Sequence, residues 1–120
     1  MRVLVCGGRG FADFDGLAAA LRKIDNARRI TLLIEGGASG ADALARRWAE
    51  GRGIPVKTFK ADWQLWGKAA GPIRNQWMLE QGKPDIVVAF PGGKGTADMV
   101  RRAQEAMVPV RKPLGIEGED

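Results

Sequence analysis

Asp85-Ile86-Val87-Val88-Ala89-Phe90-Pro91-Gly92-Gly93-Lys94-Gly95-Thr96 is the stretch that decides how this chain is read. Its apolar run has the length and β-branching of a buried strand. Glycines follow, and from Thr96 the spacing becomes helical. A strand, a glycine turn and a helix start, in that order, expose unpaired N–H groups and partial positive charge beyond the strand end. Glycines lacking Cβ let an anion approach that backbone. Phosphate suits such a cradle.

Working outward, the same order recurs twice. Arg2 to Cys6 reads as a strand running into Gly7-Gly8-Arg9-Gly10-Phe11. Ile30 to Ile34 reads as a strand running into Glu35-Gly36-Gly37-Ala38-Ser39-Gly40-Ala41-Asp42. Between them, Leu17 to Ala27 has helical spacing, and Ser39 or Gly40 opens a helix to about Arg52. Ile54 to Phe59 is a short strand, because Pro55 suits only a strand start or an edge. Lys60 to Ala70 reads as a loop, and Pro72 opens a helix to about Gln81. Thr96 to Met107 is the last long helix, and Val108 to Val110 a final strand. This alternation predicts an α/β fold: a single Rossmann-like domain with a mostly parallel five-stranded sheet and helices on both faces. The domain is expected to span 1–114, with 115–120 an acidic, fraying tail. In such sheets a ligand lies beyond the carboxyl ends of the strands, where strand order reverses. All three glycine loops fall at strand carboxyl ends.

Composition narrows the chemistry. The 120 residues suit one domain, and a 45% hydrophobic share suffices for its core. No run nears the roughly 18 apolar residues of a membrane span, so no membrane partner is expected. A single cysteine rules out an internal disulfide and points to a reducing, cytoplasmic location. There is no histidine, so no metal and no other cofactor is expected. The net charge of +5 favours anionic partners. Its arginine pairs fall on presumed helices, however, and read mostly as solvated faces.

The loops supply the candidate site residues. In the first, Gly8 and Arg9 lie at the expected switch point, and Arg9 offers a planar fork to a phosphate. The loop is not GxGxxG, so no dinucleotide fingerprint is present. In the second, Gly36, Gly37, Ser39 and Gly40 expose helix amides. Ser39 and Asp42 also fit a capping box, and that structural role weighs as much as ligand contact. A carboxylate at Glu35, facing an anion site, would be unfavourable unless it binds ribose hydroxyls or acts as a base. Trp63 and Trp66 could stack a base. Trp77 and Met78 read as core, and Cys6 as a packing residue. Arg74 and Asn75 open the helix after Pro72 and point over the cleft.

Arg74-Asn75-Gln76-Trp77-Met78 followed by the stretch through Thr96 resembles the core of the SLOG superfamily. That group includes the LOG phosphoribohydrolases, the DNA-uptake protein DprA and the short YspA-like proteins. Gly36 to Asp42 resembles the DprA and YspA pattern, and Gly7 to Phe11 the YspA-type opening. The similarity covers nearly the whole chain and is closest to the YspA-like branch. It implies a Rossmann-like domain that binds nucleotides or their derivatives; members of the family often form dimers, and for such a homodimer the helix from Thr96 to Met107 could supply the surface.

LOG enzymes cleave the N-glycosidic bond of a nucleoside monophosphate with a motif PGGxGTxxE and an upstream arginine. Arg74 matches that arginine, but the glutamate position holds Met99. Asp98 is adjacent and points about 100° away on a helix. The departure counts against LOG-type hydrolysis and leaves phosphate binding intact.

Three functions follow in order. The first is a nucleotide-binding sensor or effector module, its phosphate on Pro91, Gly92, Gly93, Lys94, Gly95 and Thr96, with Arg9 or Arg74 assisting. The second is a hydrolase of nucleotide derivatives, with Arg74 and one of Glu35, Asp42 or Asp98 catalytic. The third is DprA-like single-stranded DNA binding, a nucleic-acid partner that rests on fold analogy and is not favoured.

Overall fold

Alternation along β1 (Arg2–Cys6) sorts the core into two layers. In the computed structural model, which describes residues 1–114, Val3 and Val5 pack to one side of the sheet and Leu4 and Cys6 to the other. The remaining elements are α1 (Phe14–Ala27), β2 (Leu32–Glu35), α2 (Ala41–Gly51), β3 (Val56–Thr58), α3 (Trp63–Trp66), α4 (Ala70–Gly82), β4 (Ile86–Ala89), α5 (Lys94–Glu105) and β5 (Val110–Arg111). A 3₁₀ turn at Gly67–Ala69 joins α3 to α4.

The five strands run in the order β3-β2-β1-β4-β5, and every neighbouring pair is parallel. Helices cover both faces. Leu17, Leu21 and Ile24 of α1 and Ala45, Trp48 and Ala49 of α2 pack with Val3, Leu33 and Val88. Met78 and Leu79 of α4 and Met99 and Ala103 of α5 pack with Leu4, Ile34 and Val87. Truncating a fully buried leucine such as Leu17 to Ala is expected to destabilise by about 2–5 kcal/mol. This is the predicted Rossmann-like architecture. The chain leaves β1 toward β2 and β3 on one side, and β4 and β5 lie on the other. The switch point therefore falls between β1 and β4, whose Cys6 and Ala89 are in register.

Several boundaries differ from the sequence reading, each for a local reason. α1 starts at Phe14 rather than Leu17, because the Asp13 side chain caps it, accepting from the Gly16 N–H at 2.9 Å. β2 starts at Leu32 rather than Ile30, because the Ile30 amide donates to the Asp25 side chain and the Thr31 amide to the Met1 carbonyl. β3 is three residues long and occupies the sheet edge, where Pro55 can precede it.

The segment 60–70 is loop only as far as Asp62. Asp62 accepts from the Leu65 N–H at 3.0 Å and starts α3. α5 starts at Lys94 rather than Thr96, with Gly93 as its N-cap. β5 is Val110–Arg111 rather than 108–110, because the Val108 amide still bonds to Ala103 at the end of α5. Trp77 is not core but 40% exposed. The buried stripe of α4 runs through Gly71, Asn75, Met78 and Gly82, and Trp77 lies off it. The acidic tail 115–120 lies outside the described residues.

Candidate functional site

Three glycine loops leave the carboxyl ends of β1, β2 and β4, but their helices do not open alike. Asp13 caps α1. The start of α2 is closed by backbone: the Ala41 N–H donates to the Gly8 carbonyl at 3.1 Å. Gly40, at φ +74°, presses so closely on Gly8 and Arg9 that no Cβ would fit. Ser39 is thus not the N-cap that the capping box predicted. Its hydroxyl donates to the Arg9 carbonyl at 3.2 Å, and Asp42 accepts from the Ala38 N–H instead. Helix α5 is different. No side chain caps it, and Gly93, Lys94 and Gly95 are exposed at its start. Its first-turn amides face a cleft of about 500 Å³ at the switch point.

The cleft brings together residues from four parts of the chain. Gly8 and Arg9 follow β1, Trp63 and Lys68 come from the α3 segment, Arg74 and Asn75 from α4, and Gly93 to Thr96 with Asp98 from α5. Two closures hold it in shape. The Gly8 N–H donates to the Pro91 carbonyl at 2.9 Å, joining the first and last loops. A Cβ on Gly92 would lie 2.6 Å from the Gly8 nitrogen, so only glycine permits that contact.

Arg74 is anchored rather than loose. Its Nη1 donates to the Gly36 carbonyl at 2.5 Å and its Nε to Asn75 Oδ1 at 3.0 Å. Asn75 is buried, and its Nδ2 donates to the Gly95 carbonyl at 3.2 Å and to Asp98 at 3.0 Å. Asn75 therefore ties α4 to the first turn of α5, and its polar groups are already engaged. Arg9 lies over the Trp63 ring, 5.2 Å from its centroid, so the two form one wall.

The carboxylates differ sharply. Asp98 accepts from Asn75, Arg101 and Arg102. Burial alone would raise its carboxyl, but the Asn75 and Arg102 bonds, the Arg102 charge and the Arg101 bond outweigh it and hold it below its ordinary value. Glu35 does not line the cleft, contrary to the sequence expectation. It is fully buried and accepts from the Gly37 N–H at 2.6 Å and from the Thr58 hydroxyl, its register partner on β3.

Asp42 does line the cleft, 7% exposed. Burial pushes its carboxyl up to about 6, with Glu35 adding to the rise and the Ala38 amide, Arg74 and the Gly36 amide opposing it. Arg74 is shifted down by burial, which Asp42 partly offsets. The Cys6 thiol, on the same floor, is pushed up to about 12 by burial and by Asp42, so it stays protonated. Among the described residues no three Cys, Asp or Glu side chains gather as metal ligands would.

The other sequence candidates fall elsewhere. Gly36, Gly37 and Ser39 line a neighbouring recess that shares Arg9, Trp63 and Arg74 with the cleft. Pro91 and Gly92 line a recess on the far side of α5. Trp66, 44% exposed, and Gly40 line none of the three. Met99, at the LOG glutamate position, is fully buried in the core under α5. Sequence reasoning missed Lys68, Ala38 and Met78 as cleft residues. The α3 segment that carries Lys68 had no apolar periodicity to mark it.

Fold and site together define a Rossmann-like domain with a glycine-built crevice at the sheet's switch point. The family model described as YAcAr (YspA, cpYpsA-related SLOG family) matches residues 1–66, and the chain belongs to that family. It is also similar to the Gene 61 protein of Mycobacterium phage D29, at 38% identity over 120 aligned positions, covering 91% of this chain and 93% of the relative. Among solved structures it is similar to DNA processing protein A (DprA) from Streptococcus pneumoniae, with a TM-score of 0.75 and 16% identity. That match covers 92% of this chain and 49% of DprA, so the chain spans about half the length of that structure. At such identity the likeness concerns the fold.

Proposed function

We propose that the chain binds a nucleotide or nucleotide-derived ligand in the switch-point cleft and acts as a sensor or effector module. The observation that carries this reading is the uncapped start of α5, whose amides open into a cleft also lined by Arg9, Lys68, Arg74 and Lys94. Unpaired helix amides and four cations favour a phosphate there. The Thr96 hydroxyl sits in the same first turn. Trp63, 48% exposed at the rim, offers an indole for the base. The SLOG membership supports the same reading.

Binding is favoured over turnover by the state of the carboxylates. Met99 removes the glutamate that LOG-type cleavage uses, Asp98 is engaged by two arginines, and Glu35 is turned away from the cleft. Single-stranded DNA binding ranks lower, since the DprA likeness speaks to fold.

The test is a thermal-shift and calorimetric panel of AMP, other nucleoside monophosphates, ADP-ribose and a short single-stranded oligonucleotide, with chromatography for released base. A saturable shift with at least one nucleotide and no released base is expected. Absence of any nucleotide binding by the folded protein overturns the reading. Release of base replaces it with the hydrolase, and tight oligonucleotide binding alone replaces it with the DNA-binding module.

A further inference from the structure

The cleft contains a feature that phosphate recognition alone does not use. Asp42 projects from the first turn of α2 onto the cleft floor. Its neighbours there include Cys6 and Met78, which are also buried. Arg74 is the cation whose charge acts on it, and the Trp63 rim is far more exposed. A carboxylate beside an anion seat repels a phosphate, so the ligand must offer it something else. Resting on the nucleotide reading above, we propose that Asp42 accepts a hydrogen bond from a sugar hydroxyl of the ligand and so selects ribonucleotides over deoxyribonucleotides.

The assignment follows by placement. The phosphate goes to the amides of Gly93 to Thr96, the base to Trp63, and the sugar is what remains between them. A carboxylate is an acceptor whose hydrogen bonds to neutral donors are strong when water is excluded. The other two carboxylates near the cleft are engaged by several side chains or amides, Asp98 by Asn75, Arg101 and Arg102 and Glu35 by Gly37 and Thr58, whereas Asp42 accepts from the Ala38 N–H through Oδ2 alone. Asp42 forms no ion pair within 4 Å among the described residues.

Besides burial, the groups that set its charge are Glu35 at the end of β2 and Arg74 on α4, together with the amides of Gly36 and Ala38, while the neighbouring Cys6 thiol at the end of β1 stays neutral. Glu35 and burial favour the protonated form, and Arg74 and the amides favour the carboxylate. With its carboxyl near 6, Asp42 is mainly ionised at neutral pH and becomes a weaker, neutral acceptor in mild acid. Hydroxyl selection is therefore expected to fade as pH falls.

The experiment titrates AMP, 2′-deoxy-AMP and 3′-deoxy-AMP into the wild-type protein and the Asp42→Asn variant by calorimetry, near pH 8 and near pH 5. AMP phosphate titrates in the same window. The readout is therefore the AMP-to-deoxy affinity ratio at each pH, which phosphate titration leaves unchanged. At the higher pH, wild type is expected to prefer AMP over at least one deoxy form by about 10- to 100-fold. The ratio is expected to shrink severalfold near pH 5, and to stay small at both pH values in Asp42→Asn.

Equal binding of all three ligands by wild type overturns the proposal while the nucleotide reading stands. So does a variant that keeps the full ratio. Absence of AMP binding by the folded wild type overturns this proposal and counts against the broader reading, which the full panel then decides. The wild-type comparison needs no variant, so it decides the matter even if Asp42→Asn fails to fold.

Discussion

Gly92 and Gly95 sit three residues apart in one motif and answer to different constraints. A side chain on Gly92 would run into the Gly8 nitrogen and Thr96 Oγ1, whereas a side chain on Gly95 meets nothing within 4 Å except the cleft space. Gly92→Ala is therefore expected to lower the melting temperature by several degrees, equivalent to about 1–3 kcal/mol. Gly95→Val is expected to leave the melting temperature within a few degrees and weaken nucleotide binding at least about tenfold, as calorimetry would show. Unchanged affinity in Gly95→Val would place the phosphate elsewhere.

Asp42 makes a second residue-scale prediction. Its folded carboxyl lies at about 6, above the ordinary 3.8. Between those values the folded chain keeps a proton that the unfolded chain has lost, so its contribution to stability falls as pH rises through that window. The loss is complete above about 6 and amounts to roughly 3 kcal/mol at most. Asp42→Asn removes the titrating charge and can still accept from Ala38. Its melting temperature relative to wild type is expected to climb from near pH 4 to near pH 7, and a pH-independent difference would contradict the assignment.

At the scale of elements, the contact between α4 and α5 positions the site. Asn75 serves Arg74, Asp98 and the Gly95 carbonyl at once. Asn75→Ala removes one hydrogen bond from each, leaving Arg74 held only by the Gly36 carbonyl and Asp98 only by Arg101 and Arg102, and is expected to cost about 1–3 kcal/mol in denaturant unfolding. It should also weaken nucleotide binding, because Arg74 and the first turn of α5 lose their shared anchor. Met99 lies one residue along from Asp98 on the same helix, inside the core. Met99→Glu would restore the LOG motif in sequence but bury an unpaired charge. The expected result is severe destabilisation in thermal melts, by several kcal/mol, without release of adenine from AMP.

At the scale of the whole molecule, charge and topology act together. The net charge of +5 is spread over helix faces, while the cleft at the switch point carries Arg9, Lys68, Arg74 and Lys94 close together. Nucleotide affinity is expected to drop several-fold between about 50 mM and about 500 mM salt, measured by titration, as screening shortens the reach of those charges. A salt-independent affinity would mean that the cations do not contribute.

Alternating strands and helices, the glycine turns at strand ends and the parallel sheet were all legible in the chain itself. Each is written locally: β-branched runs, helical spacing and residues without Cβ impose it over a few positions. The alternation predicted a parallel sheet with its ligand site at a switch point, but the order β3-β2-β1-β4-β5 that puts that point between β1 and β4 came from the tertiary structure. Which of three similar loops remains open was not legible. That choice depends on long-range contacts, from Asp13 capping one helix and the Gly8 carbonyl closing another to the absence of any cap on α5. The fates of the carboxylates were equally hidden, because burial and partners distant in sequence decide them. Glu35 turned inward to Thr58, Asp98 was taken by Asn75 and two arginines, and Asp42 was left facing the cleft. Local pattern therefore determined the scaffold and the place of the site, while the folded packing alone decided which groups in it stay available to a ligand.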